Sequence, residues 1–489
     1  MWATVLSCVF GAWYALLWSL FLLGLNQAKK RYSRLPTSDA PPPPLDPATD
    51  AIPAVSILRP LRGLDCNLYE NLEASFRQDY PDFEIIFSVA DEADAAIPIV
   101  KELCARYPNI PTKLIIGQEI VGVNPKINNL IRAYRAAQHD LVWVLDSNVL
   151  TSESCLSRSV PLFTPSATTA GRPIGLVHHL PFAIYPDTLL GSRVEQVYLC
   201  STHAKMYLAI NRVAVASCVT GKSCLYRKSD LARAAAHKRD RGKLPPPPPS
   251  LSPALGGADG AGLAAFGQYL GEDNEIGVAI WEELGMRHAM GTELAGNAVG
   301  SMTFTKYFRR RVRWIRVRKY MVTASTLVEP LTECILAGIL GALAFRHLFS
   351  LPAWLFLPAH TLAWYTLDAA LYRALLPASP ARSTVSRPPA HDGPGLGGYL
   401  QAWAVRELLA LPIWIFAMLG DTVGWRDEGT VYRVQRDGSV RALREGEKEA
   451  WVERAWAVVA RRYQGARKGY VTLSPGDVEA NAPVHAEVR

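Results

Sequence analysis

Residues 140–148 read DLVWVLDSN, five apolar residues followed by three polar ones. The run is too short for a helix and too apolar for a surface loop. It reads as a fully buried strand that delivers Asp146, Ser147 and Asn148 at its carboxyl end. Working back from it, the same logic assigns a helix to KINNLIRAYRAAQ (126–138) and a strand to TKLIIG (112–117). IPIVKELCARYP (97–108) is a second helix and FEIIFSVADEAD (83–94) a strand running into an acidic loop. NLYENLEASFRQDYP (67–81) is a helix stopped by proline, and AVSILRPL (54–61) is the first strand. Strand and helix alternate, which predicts an α/β domain on a mainly parallel sheet. Ligands of such sheets bind beyond the carboxyl ends of the strands, where Asp91 and Asp146 both fall.

The flanks predict a membrane. Residues 2–25 carry no charge and are long enough to cross a bilayer, and Lys29, Lys30 and Arg31 follow. The positive-inside rule then puts the domain after the helix in the cytosol. Residues 1–32 are the anchor, and 33–53 a stiff proline-rich linker. Residues 54–320 are the globular domain, interrupted at 237–262 by a charged, then Pro-rich, then Gly-rich insertion expected to be disordered. A helical membrane region spans 321–420, with crossings at about 321–344, 351–375 and 399–420, and 421–489 is a polar tail. Glu329, Glu333, Asp368, Arg406 and Glu407 in or near these spans are expected to face other helices or a watery cavity. Three later spans would leave the arginine-rich tail on the far side, so one of them reads as re-entrant or interfacial. Hydrophobic residues make up 49% of the 489, charged residues 20%, and the net charge is +8. The positive excess sits beside apolar segments and suits anionic lipid or a phosphate-bearing substrate. No nucleic-acid-binding module is visible. The eight cysteines show no metal-ligand spacing and read as reduced thiols.

Three constellations carry chemistry. The acids are Asp91 and Asp94 in VADEAD, Asp146 in VLDSN, and Glu272 and Asp273 in GEDNE. Each alone is an ordinary cap or turn residue. Together they suit a nucleotide-sugar site, which needs a carboxylate at the nucleoside, one for a metal on the diphosphate, and one as general base. Next, Lys126, Asn128 and Asn129 in GVNPKINNL open a helix, a place that favours an anion. Last, Arg310, Arg313 and Trp314 in FRRRVRWIRVRKY (308–320) share a helix face, where two arginines could grip a diphosphate. The remaining cations, Arg309, Arg311, Arg316, Arg318 and Lys319, read as the cytosolic flank of the next span, so that neutralising Arg318 should matter little.

Three spaced aspartates and an R-x-x-R-W box on a membrane-anchored domain resemble the family 2-like glycosyltransferases. Within that group, GVNPKINNL, DLVWVLDS, GLVHHLPF, VEQVY, CVTGKSCLYRK, AFGQYLGEDNEI, EPLTE and DTVGWRDEGTVYRV resemble the ceramide glucosyltransferases, from the first helix to about residue 440. The resemblance implies a GT-A-like fold on the cytosolic face of Golgi or ER membranes. It implies transfer of glucose from UDP-glucose to the primary hydroxyl of ceramide with inversion, using Mg2+ or Mn2+. It implies that Asp91, Lys126, Asn128 and Asp146 hold the donor, with Asp146 on the metal, and that Asp273 is the general base. Arg310, Arg313 and Trp314 would form the acceptor-side box, and His203 in STHAKMY would lie near it. Membrane lipid is the implied partner; homo-oligomerisation stays open. Asn148 stands where the animal members carry Gly, so D-x-D is here D-S-N with one carboxylate. The insertion and the tail beyond 440 suggest a fungal-type member. Two other readings stay open: another membrane transferase, such as a processive polysaccharide or polyprenyl-phosphate sugar synthase, and a non-catalytic scaffold.

Overall fold

The alternating strands and helices close as one sheet with helices on both faces. The structure is a computed structural model, and it describes residues 1–33, 53–164, 167–245, 262–381, 396–424, 430–443 and 447. In chain order the elements of the first half are α1 (Trp2–Tyr32), β1 (Val55–Leu61), α2 (Leu68–Phe76), β2 (Phe83–Val89), α3 (Ile97–Arg106), β3 (Thr112–Ile116), α4 (Pro125–Ala136), β4 (Leu141–Leu145), β5 (Val149–Leu150), α5 (Cys155–Ser159), β6 (Thr168–Thr169) and β7 (Arg172–Pro186). There follow α6 (Leu190–Tyr198), α7 (Ala204–Val213), β8 (Ser223–Arg227), α8 (Lys228–Asp240), α9 (Glu272–Glu283), β9 (Arg287–Gly300) and α10 (Phe304–Arg318).

The sheet runs β3-β2-β1-β4-β8-β7-β9-β5. β1, β2, β3 and β4 are mutually parallel, β8 is antiparallel to both neighbours, and β7 and β9 are parallel to each other. The sheet is therefore mainly parallel, as expected. The register pairs Leu61 with Val89 and Leu58 with Val144, so β1, β2 and β4 all end at one edge. β1 and β4 are buried along their whole length, which is why they carry no polar alternation. Leu72, Phe76, Val100 and Leu103 cover one face against Ile57, Phe87 and Trp143. Ile127, Ile131, Leu231 and Ile280 cover the other against Leu58, Ile86 and Val142.

The sequence-based insertion at 237–262 is only partly irregular. α8 continues to Asp240, and Lys238 pairs with Glu275 of α9 while Lys243 pairs with Glu283 at 3.1 Å. Residues 246–261 lie outside the described residues, as do most of the linker and the tail beyond 447.

The membrane region departs further from expectation. The span expected at 321–344 is two pieces, α11 (Thr323–Val328) with a 3-10 turn through Thr332, and α12 (Cys334–Phe349), bent by 69°. Pro330 sits in that turn and cannot continue a straight helix. α13 (Ala353–Leu375) returns antiparallel, and α14 (Leu396–Met418) follows. Among the described residues Trp2–Tyr32 and Gly397–Met418 are long and apolar enough to cross a membrane, and the bent pair would make a third. α13 is long enough but more polar.

The ionisable groups of this region are paired inside it, as expected. Lys205 of α7 and Asp368 of α13 form a fully buried pair at 2.8 Å. Arg406 pairs with Glu333 and Glu407. The cations after Trp314, expected as a cytosolic flank, have specific partners within the protein. Buried Arg316 donates to the carbonyls of Phe416 (2.9 Å), Ala417 (3.2 Å) and Thr422 (2.7 Å). Lys319 donates to those of Met418 and Gly420, both at 3.1 Å. The last carbonyls of a helix lack partners within it and attract positive charge, so these cations cap α14. Gly420 belongs to the same device: a Cβ there would come within 2.2 Å of Arg316 Nη2. Beyond α14, β10 (Thr422–Gly424), β11 (Val431–Val434) and β12 (Val440–Ala442) form a small antiparallel sheet packed on Leu270 and Val317 of the α/β domain.

Candidate active site

Asp146 leaves β4 where the sheet meets a cavity of about 1500 Å3. β8 lies antiparallel beside β4, so Lys222, just before β8, faces Asp146; the Asp146 N–H donates to the Lys222 carbonyl at 3.1 Å. The two oxygens of Asp146 are divided between two lysines. Lys126 Nζ lies 2.8 Å from Oδ1 and Lys222 Nζ lies 3.0 Å from Oδ2. Burial opposes the charged carboxylate, but the two ammonium groups outweigh it and hold Asp146 well below the usual carboxylate range. Burial also opposes Lys126, yet Asp146 and Glu272 raise it well above the ordinary lysine value. For Lys222 burial wins, and its proton is held less tightly than usual.

Lys126 is positioned by a helix cap. Asn124 accepts from the N–H of Lys126 at 2.8 Å and donates to Glu272 at 2.9 Å, so the starts of α4 and α9 are tied together. Glu272 in turn lies 3.1 Å from Lys126. Asp273 is the next residue of that first turn and also lines the cavity. Burial and the adjacent Glu272 push its carboxyl up to about 7. The backbone at Gly221 runs flush against it, since a Cβ there would sit 2.7 Å from the Asp273 carboxyl carbon.

The R-x-x-R-W box lies on α10, and Arg310, Arg313 and Trp314 all line the same cavity. Its support comes from a residue the sequence reading placed in the membrane flank. Arg311 is buried, 3.8 Å over the Trp314 ring and 4.1 Å over that of Tyr198, and it donates to Glu195 at 3.1 Å. Arg310 also reaches Glu195, at 3.2 Å. Arg318, too, lines the cavity and pairs with Glu329 of EPLTE. His203 sits in a π-helical turn between α6 and α7, a local irregularity common at functional sites. Its ring stacks on Tyr207 at 4.2 Å and tilts toward Trp314 at 6.1 Å. Burial, with Arg311 nearby, holds it down to about 3, so it is neutral at physiological pH. Its Nδ1 finds no partner among the described residues.

Two sequence-based candidates are not among the residues that line the cavity. Asn128 accepts from the N–H groups of Val121 and Gly122 and donates to the Gly122 carbonyl at 2.9 Å. It closes the 119–123 loop, and Asn129 lines the cavity instead. Asp91 is exposed and accepts from the Ala93 N–H at 2.8 Å; its neighbour Ala90 lines the cavity. Lys222 and the Arg311–Glu195 pair were missed. The signal for Lys222 was a cation between Gly221 and a strand in TGKS. For Arg311 no local signal separates it from its arginine neighbours.

The cavity has two characters. Lys126, Asp146, Lys222 and Asp273 make one end polar. Trp13, Leu17 and Leu20 of α1, with Phe308, Val328 and Phe416, make the rest apolar. Among the described residues no group of three or more His, Cys, Asp or Glu could hold a metal. The oxygens of Asp146 and Asn148 do converge, both lying 3.0 Å from Lys222 Nζ.

The family model of glycosyl transferase family 21 matches residues 12–235 and 258–440. A ceramide glucosyltransferase of Komagataella phaffii is 34% identical over 483 residues, covering 90% of this chain and 92% of its own. Proteins described by the same words in Candida albicans and Pyricularia oryzae are 33% and 32% identical, over 78% and 88% of this chain and 87% and 94% of theirs. Among solved structures, a mannosyltransferase of Pyrobaculum calidifontis in complex with GDP-Man and Mn2+ is similar at a TM-score of 0.41 and 18% identity, covering 76% of this chain and 97% of its own.

Proposed function

The chain belongs to glycosyl transferase family 21, and from that membership we propose that it moves glucose from UDP-glucose to the primary hydroxyl of ceramide with inversion, at the cytosolic face of Golgi or ER membranes. One observation carries the reading: a single cavity joins the charged cluster at Asp146 and Asp273 to an apolar wall built partly by the membrane helix α1. A lipid acceptor can keep its chains against that wall while its hydroxyl reaches the polar end.

Asp273 takes the hydroxyl proton as the new oxygen–carbon bond forms at the sugar, and the bond to the β-phosphate breaks. A carboxyl poised near neutrality can accept that proton and later release it. The charge that develops on the departing diphosphate meets Lys126 and Lys222 at one side and Arg310 and Arg313 at the other. Trp314, clamped by Arg311, floors the acceptor side, with neutral His203 beside it. Asp91 stands at the strand edge where the nucleoside would lie. Mg2+ or Mn2+ fits the oxygens of Asp146 and Asn148, because both are hard donors aimed at one point. When bound there, the metal would neutralise charge on the diphosphate.

The test is a crossed panel. Purified protein is offered UDP-glucose, UDP-galactose and UDP-GlcNAc, each with ceramide, sterol and dolichyl phosphate. β-Glucosylceramide should be the main product. Polymer, or transfer only to dolichyl phosphate, would replace this reading with that of another membrane transferase.

A further inference from the structure

Lys222 stands where a metal ion should go. Its Nζ donates to Asp146 Oδ2 and Asn148 Oδ1, both at 3.0 Å. Neither oxygen is there by chance. Asn148 is turned by its amide nitrogen, which donates to Asn297 Oδ1 at 3.1 Å and to the Ala298 carbonyl at 3.4 Å, so its oxygen faces the lysine. Asp146 is tied to the Lys222 backbone through the β4–β8 ladder, which keeps the lysine stem opposite the carboxylate. The other oxygen of Asp146 is served by a different cation, Lys126. Two fixed hard oxygens therefore converge on one point, and an ammonium group holds it.

A divalent ion needs such oxygens at about 2.0–2.2 Å, or somewhat further for a larger ion. That places it in contact with the ammonium, and two cations cannot share the position. We propose that Lys222 and a divalent cation are alternative occupants of the Asp146–Asn148 cradle, and that Lys222 keeps the cradle closed until a donor diphosphate draws the ammonium away. The metal site is thereby made dependent on the donor. The inference rests on Asp146 being the metal ligand, and deepens that reading.

Mn2+ binding, read from the loss of the free-ion signal in electron paramagnetic resonance, tests it on the full-length protein in detergent. Without nucleotide, Lys222→Met should bind Mn2+ at least tenfold more tightly than the unaltered protein. Lys126→Met removes the same charge from the other carboxylate oxygen and should change the affinity less than threefold. UDP should strengthen Mn2+ binding to the unaltered protein much more than to Lys222→Met. Equal gains from the two lysine variants would reduce the effect to net charge and overturn the proposal, as would tight Mn2+ binding by the unaltered protein without UDP. Should the methionine variant fail to assemble, Lys222→Ala answers the same question. Mn2+ that binds no form, even with UDP, overturns the metal reading itself. The acceptor panel is untouched by any of these outcomes.

Discussion

Single carboxylates and arginines decide what this site can do. Asp273 is the clearest case, because its environment sets its working range. Protonated below about 7, it cannot accept a proton, so kcat/KM should fall as the pH drops through that value and level off above it. Asp273→Asn should lower transfer by roughly 10²–10⁴-fold and flatten this acid limb, while UDP-glucose still binds. A variant that keeps substantial transfer removes Asp273 from the role of base. Arg318 changes status more than any other residue. Read as part of the cytosolic flank of the next span, it was expected to matter little. It instead holds Glu329 at the cavity wall. Loss of a charge-assisted hydrogen bond there should reduce turnover of Arg318→Gln roughly tenfold or more. Steady-state kinetics with unchanged membrane content would check it. The residue pattern named Asp146, Lys126, Asp273 and the box, because each sits at a strand end or helix start with a charge the position favours. It could not tell whether Asn128 serves a ligand or a loop, because an amide at a helix start serves either equally well; its contacts here are with the Val121–Gly122 backbone.

At the scale of elements, the first half of the domain was legible and the second half was not. β1 to β4 and α2 to α4 fall where the apolar runs and their proline stops put them, because each buries one continuous face. β7 and β9 are also strands of the same sheet, yet they carry histidines, prolines, glycines and a glutamate that obscure any period. Tertiary pairing, not local pattern, makes them strands. α10 shows a second limit: charge density alone does not say which side of a helix meets lipid. One of its faces supplies Arg310, Arg313 and Trp314 to the cavity; another, through Arg316, closes the end of α14. Arg316→Met removes a charged donor shared by three carbonyl oxygens, and its expected cost is about 3 kcal/mol. Thermal unfolding in detergent should show a clear fall in midpoint for this variant. Arg309→Met, on the exposed face of the same helix, should shift it by no more than about 0.5 kcal/mol equivalent. Equal midpoints would mean that the cap does not hold α14.

At the scale of the whole molecule, the path of α14 determines on which side of the membrane the tail emerges. Composition makes α14 a candidate span, but its contacts argue otherwise. Near its start, Tyr399 stacks on Tyr372 at 5.5 Å, and Tyr372 stacks on Phe182 of the sheet at 6.0 Å. In its middle, Arg406 lies 6.0 Å from the Tyr198 ring at the end of α6. At its end, Arg316 of α10 caps it, and the Val440 N–H beyond it donates to the Gln268 carbonyl at 2.8 Å. A helix of 23 residues is about 35 Å long, so a true span would carry one end away from the domain. Both ends touch it. These contacts predict that α14 lies along the membrane surface and that α12 and α13 are the crossing pair beside α1, whose Thr4 meets His347 of α12 at 3.1 Å. An even number of crossings between α10 and β10 would put β10 to β12 on the side of the α/β domain, which their packing on Leu270 and Val317 and the Val440–Gln268 bond require. Epitope tags placed within 246–261 and after Arg489 should both be digested by protease added to sealed microsomes. A C-terminal tag that survives while the internal one is lost would make α14 a span and leave β10 to β12 on the wrong side of the membrane for the contact with Gln268.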